Sequence, residues 1–115
     1  MTDSDVVAPN LTKSCNEVLI LTVLADGSKH GYQLAVEIED RSSGFFRFNH
    51  GTLYPILHKL EREGMIRGKW SGDDLRRKRK SYSLTRQGRR YLDEQVEAWS
   101  RFFGRFTDIV EGFRR

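Results

Sequence analysis

The chain has 115 residues, of which 37% are hydrophobic and 31% charged, a composition that suits one domain with a modest core and an appended helix. The longest aliphatic run, residues 18–21, is far shorter than the roughly 20 apolar residues that span a bilayer. A single cysteine, Cys15, excludes an internal disulfide and is compatible with the reducing cytoplasm. Because the acidic N-terminus also lacks the features of a secretory signal, we expect a cytoplasmic protein without a membrane partner.

The net charge of +4 favours an anionic partner, but charge alone says little about function. The distribution of the cations is more informative, since residues 76–80 are five consecutive basic residues. Such a run is most often a solvated loop, so its interpretation as a nucleic-acid contact depends on the surrounding structure.

The N-terminal part of the chain predicts a flexible arm followed by a buried helix. Residues 1–10 lack periodicity, which is typical of an arm. The segment from Ser14 to Glu17 matches a capping box and predicts the start of the first helix, although a start at Asn10 or Thr12 also fits. Residues 18–24 are apolar nearly all round a helix, so we expect this helix to be buried on several sides.

Residues 30–42 predict a second helix, with Leu34 and Ile38 on its inner face. The aromatic stretch of residues 45–48 that follows predicts either core side chains closing a small domain or a very short strand.

The third helix has the clearest pattern, because the apolar residues at positions 53, 56, 57 and 60 form one stripe. Asn49 is a candidate N-cap and Gly64 a candidate C-terminal stop. Pro55 conflicts with a start at Asn49, since proline lacks an amide and crowds the preceding turn. Either the helix starts nearer Thr52 or its first turn is irregular.

After Gly64 the hydrophobic period changes to two. Residues 66–70 and 81–84 alternate between apolar or small and polar side chains, which predicts two strands. The polar and basic residues between them predict a hairpin with a charged tip.

The C-terminal segment predicts one long helix capped by Thr85. Its apolar residues are spaced alternately by four and three, as in a heptad seam: Leu92, Val96, Trp99, Phe103, Phe106, Val110 and Phe113. A helix of nearly 30 residues is about 42 Å long, more than a small core can cover. The seam therefore predicts a homodimer, with residues 92, 96, 99, 103, 106 and 110 in its interface.

The order of elements predicts a mainly α fold with a small β-hairpin wing. Residues 11–84 form a winged helix-turn-helix DNA-binding domain in this interpretation, between the arm of residues 1–10 and a coiled-coil-like dimerisation helix over 85–115. The third helix of such a domain enters the major groove of double-stranded DNA.

The outward face of the third helix and the wing supply the candidate DNA-binding residues. They are Tyr32, Asn49, His50, Gly51, Thr52, Tyr54, His58, Lys59, Arg76, Arg77, Lys78, Arg79 and Lys80. Each has a simpler alternative. Thr52 can serve only as a cap, Tyr54 can be half-buried, Tyr32 can pack internally, and His58 and Lys59 can be merely solvated.

The sequence does not favour an enzyme. His30, His50, His58 and Cys15 lack the spacing of metal ligands, and neither a glycine-rich phosphate loop nor a nucleophile elbow is found. We therefore expect no cofactor and no metal. The remaining alternative is a winged-helix adaptor that binds proteins and not DNA.

Four segments between Leu19 and Gly88 together resemble the PadR family of transcriptional regulators. They are His30-Gly31-Tyr32, Gly51-Thr52-Leu53-Tyr54-Pro55, Leu60-Glu61-x-Glu63-Gly64-x-Ile66 and Lys80-x-Tyr82-x-Leu84-Thr85-x-x-Gly88. The resemblance, which is to the compact branch of the family, implies a dimeric winged-helix protein, usually a repressor and often responsive to a small aromatic compound. It also implies that Tyr32, Thr52 and Tyr54 lie at the DNA surface.

Two further expectations follow from the resemblance. The family often has a small residue or proline where this chain has His50, so the operator sequence cannot be transferred from relatives. Some compact relatives bind flat aromatic molecules between tryptophans at the dimer centre. This makes Trp99, in the middle of the seam, the candidate effector-binding residue, with core packing as the alternative.

Overall fold

The computed structural model describes residues 11–72 and 79–114. The predicted arm and three predicted wing cations, Arg76, Arg77 and Lys78, lie outside this part. The described elements are α1 (Leu11–Leu24), β1 (Lys29–His30), α2 (Gly31–Arg41), α3 (His50–Arg62), β2 (Ile66–Ser71), β3 (Arg79–Leu84) and α4 (Arg86–Arg114). This order confirms the predicted mainly α fold with a small hairpin and a long C-terminal helix.

The strands form an antiparallel sheet in the order β1-β3-β2. The predicted hairpin is present, with β2 and β3 paired from Ile66 opposite Leu84 to Ser71 opposite Arg79. Strand β1 was not predicted, because two residues are too few to show a period. It pairs with the centre of β3, and Lys29 lies opposite Tyr82.

The core lies where α1, α2, α3 and the sheet meet. As predicted, α1 is buried on several sides, and Ile20 and Leu21 are completely buried. The predicted apolar stripe of α3 faces the core, although one of its residues, Ile56, is only partly buried. The buried core residues are Ile20, Leu21, Val23, Leu24, Leu34, Ile38, Leu53, Leu57, Leu60, Ile66, Tyr82 and Leu92.

The predicted capping box of Ser14 and Glu17 is wrong. Helix α1 already begins at Leu11, so both residues lie within it, on the side that faces α4. Ser14 Oγ donates to Gln95 Oε1 at 2.7 Å, and Glu17 is only 3% exposed. Their polar atoms are satisfied across a helix interface and do not cap the free amides of a first turn.

The aromatic stretch after α2 contributes side chains to the core and forms no strand in the described part of the chain. Phe46 and Phe48 pack partly against the core, whereas Phe45 is 81% exposed.

Both predicted ends of α3 are confirmed. Asn49 Oδ1 accepts from the Thr52 amide at 2.9 Å. At the other end Gly64 adopts φ +78°, and the Met65 amide bonds back to the Leu60 carbonyl at 2.9 Å, as in a Schellman motif. Pro55 therefore lies inside the helix and on its exposed side.

Helix α4 is anchored at its first turn and leaves the core at its far end. The Gly88 amide donates to Thr85 Oγ1 at 3.0 Å, and the same hydroxyl donates to the Gly64 carbonyl at 2.6 Å. Leu92 is buried in the core, whereas Phe106 is 55% exposed. The 29 residues of α4 account for the elongated shape of the chain, 60 × 31 × 23 Å.

We expect Gly88→Ala to destabilise the domain, because a Cβ at this position would overlap the carbonyl oxygen of Met65. Overpacking of this kind costs about 1–3 kcal/mol, measurable as a lower urea midpoint. Gly104→Ala is the matched control on the same helix, since its Cβ meets nothing within 4 Å and alanine favours helix by up to about 1 kcal/mol. Equal unfolding midpoints for the two variants would contradict the proposed contact.

Candidate nucleic-acid interface

Helix α3 has one buried and one exposed face, as its hydrophobic pattern predicts. Leu53, Leu57 and Leu60 are buried. The exposed residues, which include most of the predicted DNA-binding positions on this helix, are His50, Gly51, Thr52, Pro55, His58 and Arg62. The face carries imidazoles, a hydroxyl and a guanidinium, and Gly51 leaves its backbone accessible.

The N-terminal end of α3 is held against the start of α2. The His50 ring stacks on Tyr54, with ring centroids 5.5 Å apart and planes at 25°. Tyr54 is half-buried, and its hydroxyl lies 2.9 Å from where a Cβ of residue 31 would stand. A side chain at Gly31 would displace the Tyr54 ring, so the glycine permits this close approach. The His-Gly-Tyr and Gly-Thr-Leu-Tyr-Pro segments are in contact through this pair.

A depression of about 530 Å³ lies between the start of α2, the start of α3 and β3. It is lined by His30, Gly31, Tyr32, Gln33, Tyr54, Arg79 and Lys80. The Tyr32 side chain is 67% exposed, and the amide end of α2 opens on the same space. Phenolic hydroxyls, cations and helix amides suit an anion such as a phosphate group.

Lys59 lies on the side of α3 that faces α1, and not among the exposed residues. Its ammonium is 2.9 Å from Glu17 Oε2 and 3.2 Å from Glu63 Oε1. The hydrogen bond with Glu17, together with the one to Glu63, raises the pKa of Lys59. The charge is thus engaged within the protein, which argues against a contact of Lys59 with DNA.

Of the two residues of the basic run that the structure describes, Arg79 and Lys80, it is Lys80 that takes part in a polar network. Its ammonium lies 2.8 Å from Glu61 Oε1 and over the rings of Trp70 and Tyr82, at 5.6 and 5.4 Å from their centroids. The hydrogen bond with Glu61 raises the pKa of Lys80. This ion pair joins the last turn of α3 to the wing, whereas Arg79 beside it is exposed.

Sequence reasoning missed the structural roles of Glu17 and Glu61. In the sequence, each glutamate belongs only to a local motif. Their partners, Lys59 and Lys80, lie 42 and 19 positions away in the chain. Local spacing contains no signal for such pairs. In the described residues, no cluster of three or more His, Cys, Asp or Glu side chains could hold a metal ion.

The predicted dimerisation residues fall into a buried start and an exposed remainder. Leu92 is in the core, Val96 is 44% exposed, and Phe103 and Phe106 are 54% and 55% exposed; Val110 is half-buried. Beside the seam, Phe102 stacks on Phe106 with ring centroids 6.3 Å apart.

Trp99, the predicted effector-binding residue, lies half-buried at the boundary between the two parts of α4. Its Nε1 donates to Ser14 Oγ at 3.0 Å. Its ring stacks on Phe103, with centroids 5.3 Å apart and planes at 27°.

Comparison with known proteins identifies the family. The sequence profile of the "Transcriptional regulator PadR-like family" matches residues 20–94. The chain belongs to the PadR-like family. This confirms the resemblance seen in the motifs and the prediction of a transcriptional regulator and not an enzyme. No helix of the described residues combines the length and apolar character that crossing a membrane requires.

Two transcriptional regulators match over most of their own length. The transcriptional regulator Rv3488 of Mycobacterium tuberculosis is 37% identical over 79 residues, 69% of this chain and 70% of that protein. A transcriptional regulator from Clostridium thermocellum has a similar fold, with a TM-score of 0.76 at 21% identity over 92% of this chain and 99% of that one.

A third relative is known with DNA. Bacillus subtilis PadR, named a negative transcriptional regulator, is 29% identical over 75 residues, 65% of this chain and 41% of that protein. Its structure in complex with operator DNA matches with a TM-score of 0.65 at 27% identity, over 71% of this chain and 45% of that one. The chain thus spans less than half of PadR's length.

We expect Glu61→Gln to loosen the wing, because it removes the charge that holds Lys80. Amide hydrogen exchange in β2 and β3 should be faster than in the wild type. Lys80 lowers the pKa of Glu61, so the wild-type pair is complete above the ordinary glutamate value of about 4.3 and is lost as the pH falls through the lowered pKa. The protection of the β2 and β3 amides from exchange that depends on this pair should likewise be lost as the pH falls through the lowered pKa of Glu61.

The matched control is Glu97→Gln, which removes a carboxylate from the exposed pair with Arg101 on α4. It should leave exchange in the hairpin unchanged. Unchanged exchange in Glu61→Gln would show that the ion pair does not hold the wing.

Proposed function

We propose that the protein is a sequence-specific DNA-binding regulator that acts as a homodimer, with α3 in the major groove of its operator and the β2–β3 wing along the phosphate backbone. The observation that carries this proposal is the exposed polar face of α3 beside the depression lined by Tyr32, Tyr54 and Arg79. Together they form one surface with two chemistries, one for base edges and one for the backbone.

The first turns of α3 suit direct readout. The major groove admits an α-helix, and hydroxyl and imidazole groups can bond to base edges there. Thr52 and His50 are exposed at this end, and Gly51 adds no side chain that would keep the backbone away from the duplex. His58 continues the face two turns later. Asn49 has its side chain committed to the cap.

The depression suits a backbone phosphate. Arg79 supplies an exposed cation, and Tyr32 and Tyr54 supply phenolic groups on the same space. The predicted contacts of Arg76, Arg77 and Lys78 extend the charge along the backbone, since cations near phosphates release counterions and strengthen binding. Lys80 lines the depression but is already paired with Glu61, so its contribution to binding is mainly to hold the wing.

The relative bound to operator DNA supports the DNA-binding role, and its description as a negative regulator supports repression. A repressor of this kind acts where the DNA is, which agrees with the expected cytoplasmic location.

The apolar face of α4 supports the dimer. Beyond Val96 the helix extends from the core with Phe103, Phe106 and Phe113 exposed, in the heptad spacing that packs against another helix. Ile109, 78% exposed beside the seam, widens the face. A second copy of the chain would bury this face by a symmetric contact.

An aromatic effector at Trp99 stays a prediction. The bond to Ser14 and the stacking on Phe103 give the indole a packing role within one protomer. A flat ligand would therefore use the ring face that Phe103 leaves free, together with the partner protomer.

The alternative of a protein-binding adaptor is tested by a mobility shift with random DNA at low salt. A regulator binds such DNA weakly through its cations, whereas an adaptor leaves it unshifted. If DNA binding is lost when exposed residues of α3 such as Thr52 and His58 are replaced, the result supports a DNA-binding regulator over an adaptor.

We expect Tyr54→Phe to weaken binding to a selected operator duplex by about tenfold, since a hydrogen bond to a charged group contributes roughly 1.5 kcal/mol. Only a hydroxyl is removed, so urea unfolding should change little. Because this hydroxyl is assigned to a backbone phosphate, which carries no sequence information, binding to random DNA should weaken by a similar factor. Fluorescence anisotropy with labelled duplexes measures both affinities. Unchanged operator affinity would place the Tyr54 hydroxyl outside the interface.

We expect Phe106→Lys to make the protein monomeric in sedimentation velocity, because an ammonium buried in an apolar interface without a partner is strongly destabilising. Asp108→Lys introduces the same side chain on the opposite side of α4, where Asp108 is in an exposed pair with Arg105, and should stay dimeric. A dimeric Phe106→Lys protein would refute the assignment of this face.

A further inference from the structure

Three helices meet at one buried carboxylate. Glu17 of α1 is 3% exposed. Its Oε2 accepts from the Lys59 ammonium of α3 at 2.9 Å, and its Oε1 accepts from the Tyr91 hydroxyl of α4 at 2.7 Å. A buried carboxylate loses its hydration, so it depends on such donors. We call these three residues the Glu17 bridge.

The bridge continues into a second set of polar contacts between α1 and α4. Ser14, one turn before Glu17, donates to Gln95 at 2.7 Å and accepts from the Trp99 indole at 3.0 Å. Tyr91, Gln95 and Trp99 follow one another at intervals of four on α4, so the contacts run along a single face of each helix. Directional bonds of this kind can specify register and angle at an interface where apolar contacts alone are more permissive.

The bridge connects two helices, α3 and α4, that pack mainly on different neighbours. Helix α4 lies on α1, whereas α3 packs mainly on α2 and β2. The two helices meet at one end, where Gln87 of α4 donates to the carbonyl of Glu63, the C-cap of α3, at 3.2 Å. Away from that end, α1 connects them through the Glu17 bridge. Burial and the bond to Glu17 raise the pKa of Tyr91 well above its usual range, which favours the protonated hydroxyl that donates to Glu17.

We infer that Glu17 is a positioning residue for operator recognition. By joining Lys59 of α3 to Tyr91 of α4, it fixes the angle between the recognition helix and the helix that carries the dimer contact. In a dimer this angle sets the distance between the two recognition helices and hence the half-site spacing that the protein accepts. This inference rests on the proposed function.

The test uses the full chain and duplexes that the wild-type protein selects from a random-sequence pool. Each duplex is then altered by inserting or removing one base pair between the half-sites. The wild type should lose about tenfold in affinity on either change, comparable to the loss on one mismatched base pair. Tyr91→Phe, which removes one hydroxyl, and Glu17→Gln, which removes the charge, should each lose about twofold or less.

Asp93→Asn is the matched control, because Asp93 is two positions from Tyr91 on α4 and lies in an exposed pair with Arg89. It should retain the tenfold discrimination. A bridge that only stabilised the fold would lower the urea midpoint and weaken binding to all duplexes alike. If the variants behave in that way and keep the wild-type ratio of affinities for the original and the altered spacings, the inference is overturned. The proposed function is then unaffected.

A double-mutant cycle keeps the test decisive if Glu17→Gln does not fold. Lys59→Met and Tyr91→Phe remove the two donors from different helices, so their effects on the spacing ratio should be non-additive if Glu17 couples them. Additive effects would overturn the inference. A wild-type protein that selects no duplex at all would instead overturn the proposed function, and this inference with it.

Discussion

The burial of α1 is the constraint on which the other elements depend. Ile20 and Leu21 are completely buried, and Val23 and Leu24 nearly so. A helix that is apolar on most of its surface is stable only if neighbours cover each side. Helix α2, strand β3 and the first half of α4 provide this cover, so their positions follow from the shape of α1. Helix α3 packs in the same core, and its C-terminal end also contacts the start of α4 through Glu63 and Gln87.

The family motifs have a physical explanation in close approaches between elements. Gly31 allows Tyr54 to reach the start of α2, and Gly88 allows α4 to start against the Met65 carbonyl. Thr85 caps α4 and also bonds to the turn after α3. These residues hold the exposed face of α3 at a defined position relative to the wing. Part of the sequence pattern that resembles a DNA-binding motif therefore consists of packing residues, which hold α3 with its polar face exposed.

The sequence predicted the features that depend on neighbours along the chain. The stripe of α3, the period-two strands and the ends of α3 are local, and the structure has them. The features that it could not predict depend on pairs far apart, such as Lys59 with Glu17 and Lys80 with Glu61. The helical wheel placed Lys59 beside the outward face, but the attraction of a buried carboxylate determines where its flexible side chain lies. The same competition explains why the capping pattern at Ser14, one of three starts that the sequence left open, is not where α1 begins.

Helix α4 belongs to two environments, and Trp99 lies where they meet. Before it, Tyr91 and Gln95 bond to α1; after it, Phe103 and Phe106 are exposed. The indole takes part in both, through Ser14 and through Phe103. In the proposed dimer, a contact made by the exposed half would reach α3 through the bonds of α4 to α1 and through the Glu17 bridge. A ligand at this point regulates DNA binding only if it binds one such arrangement better than another, because equal affinity for both shifts no equilibrium.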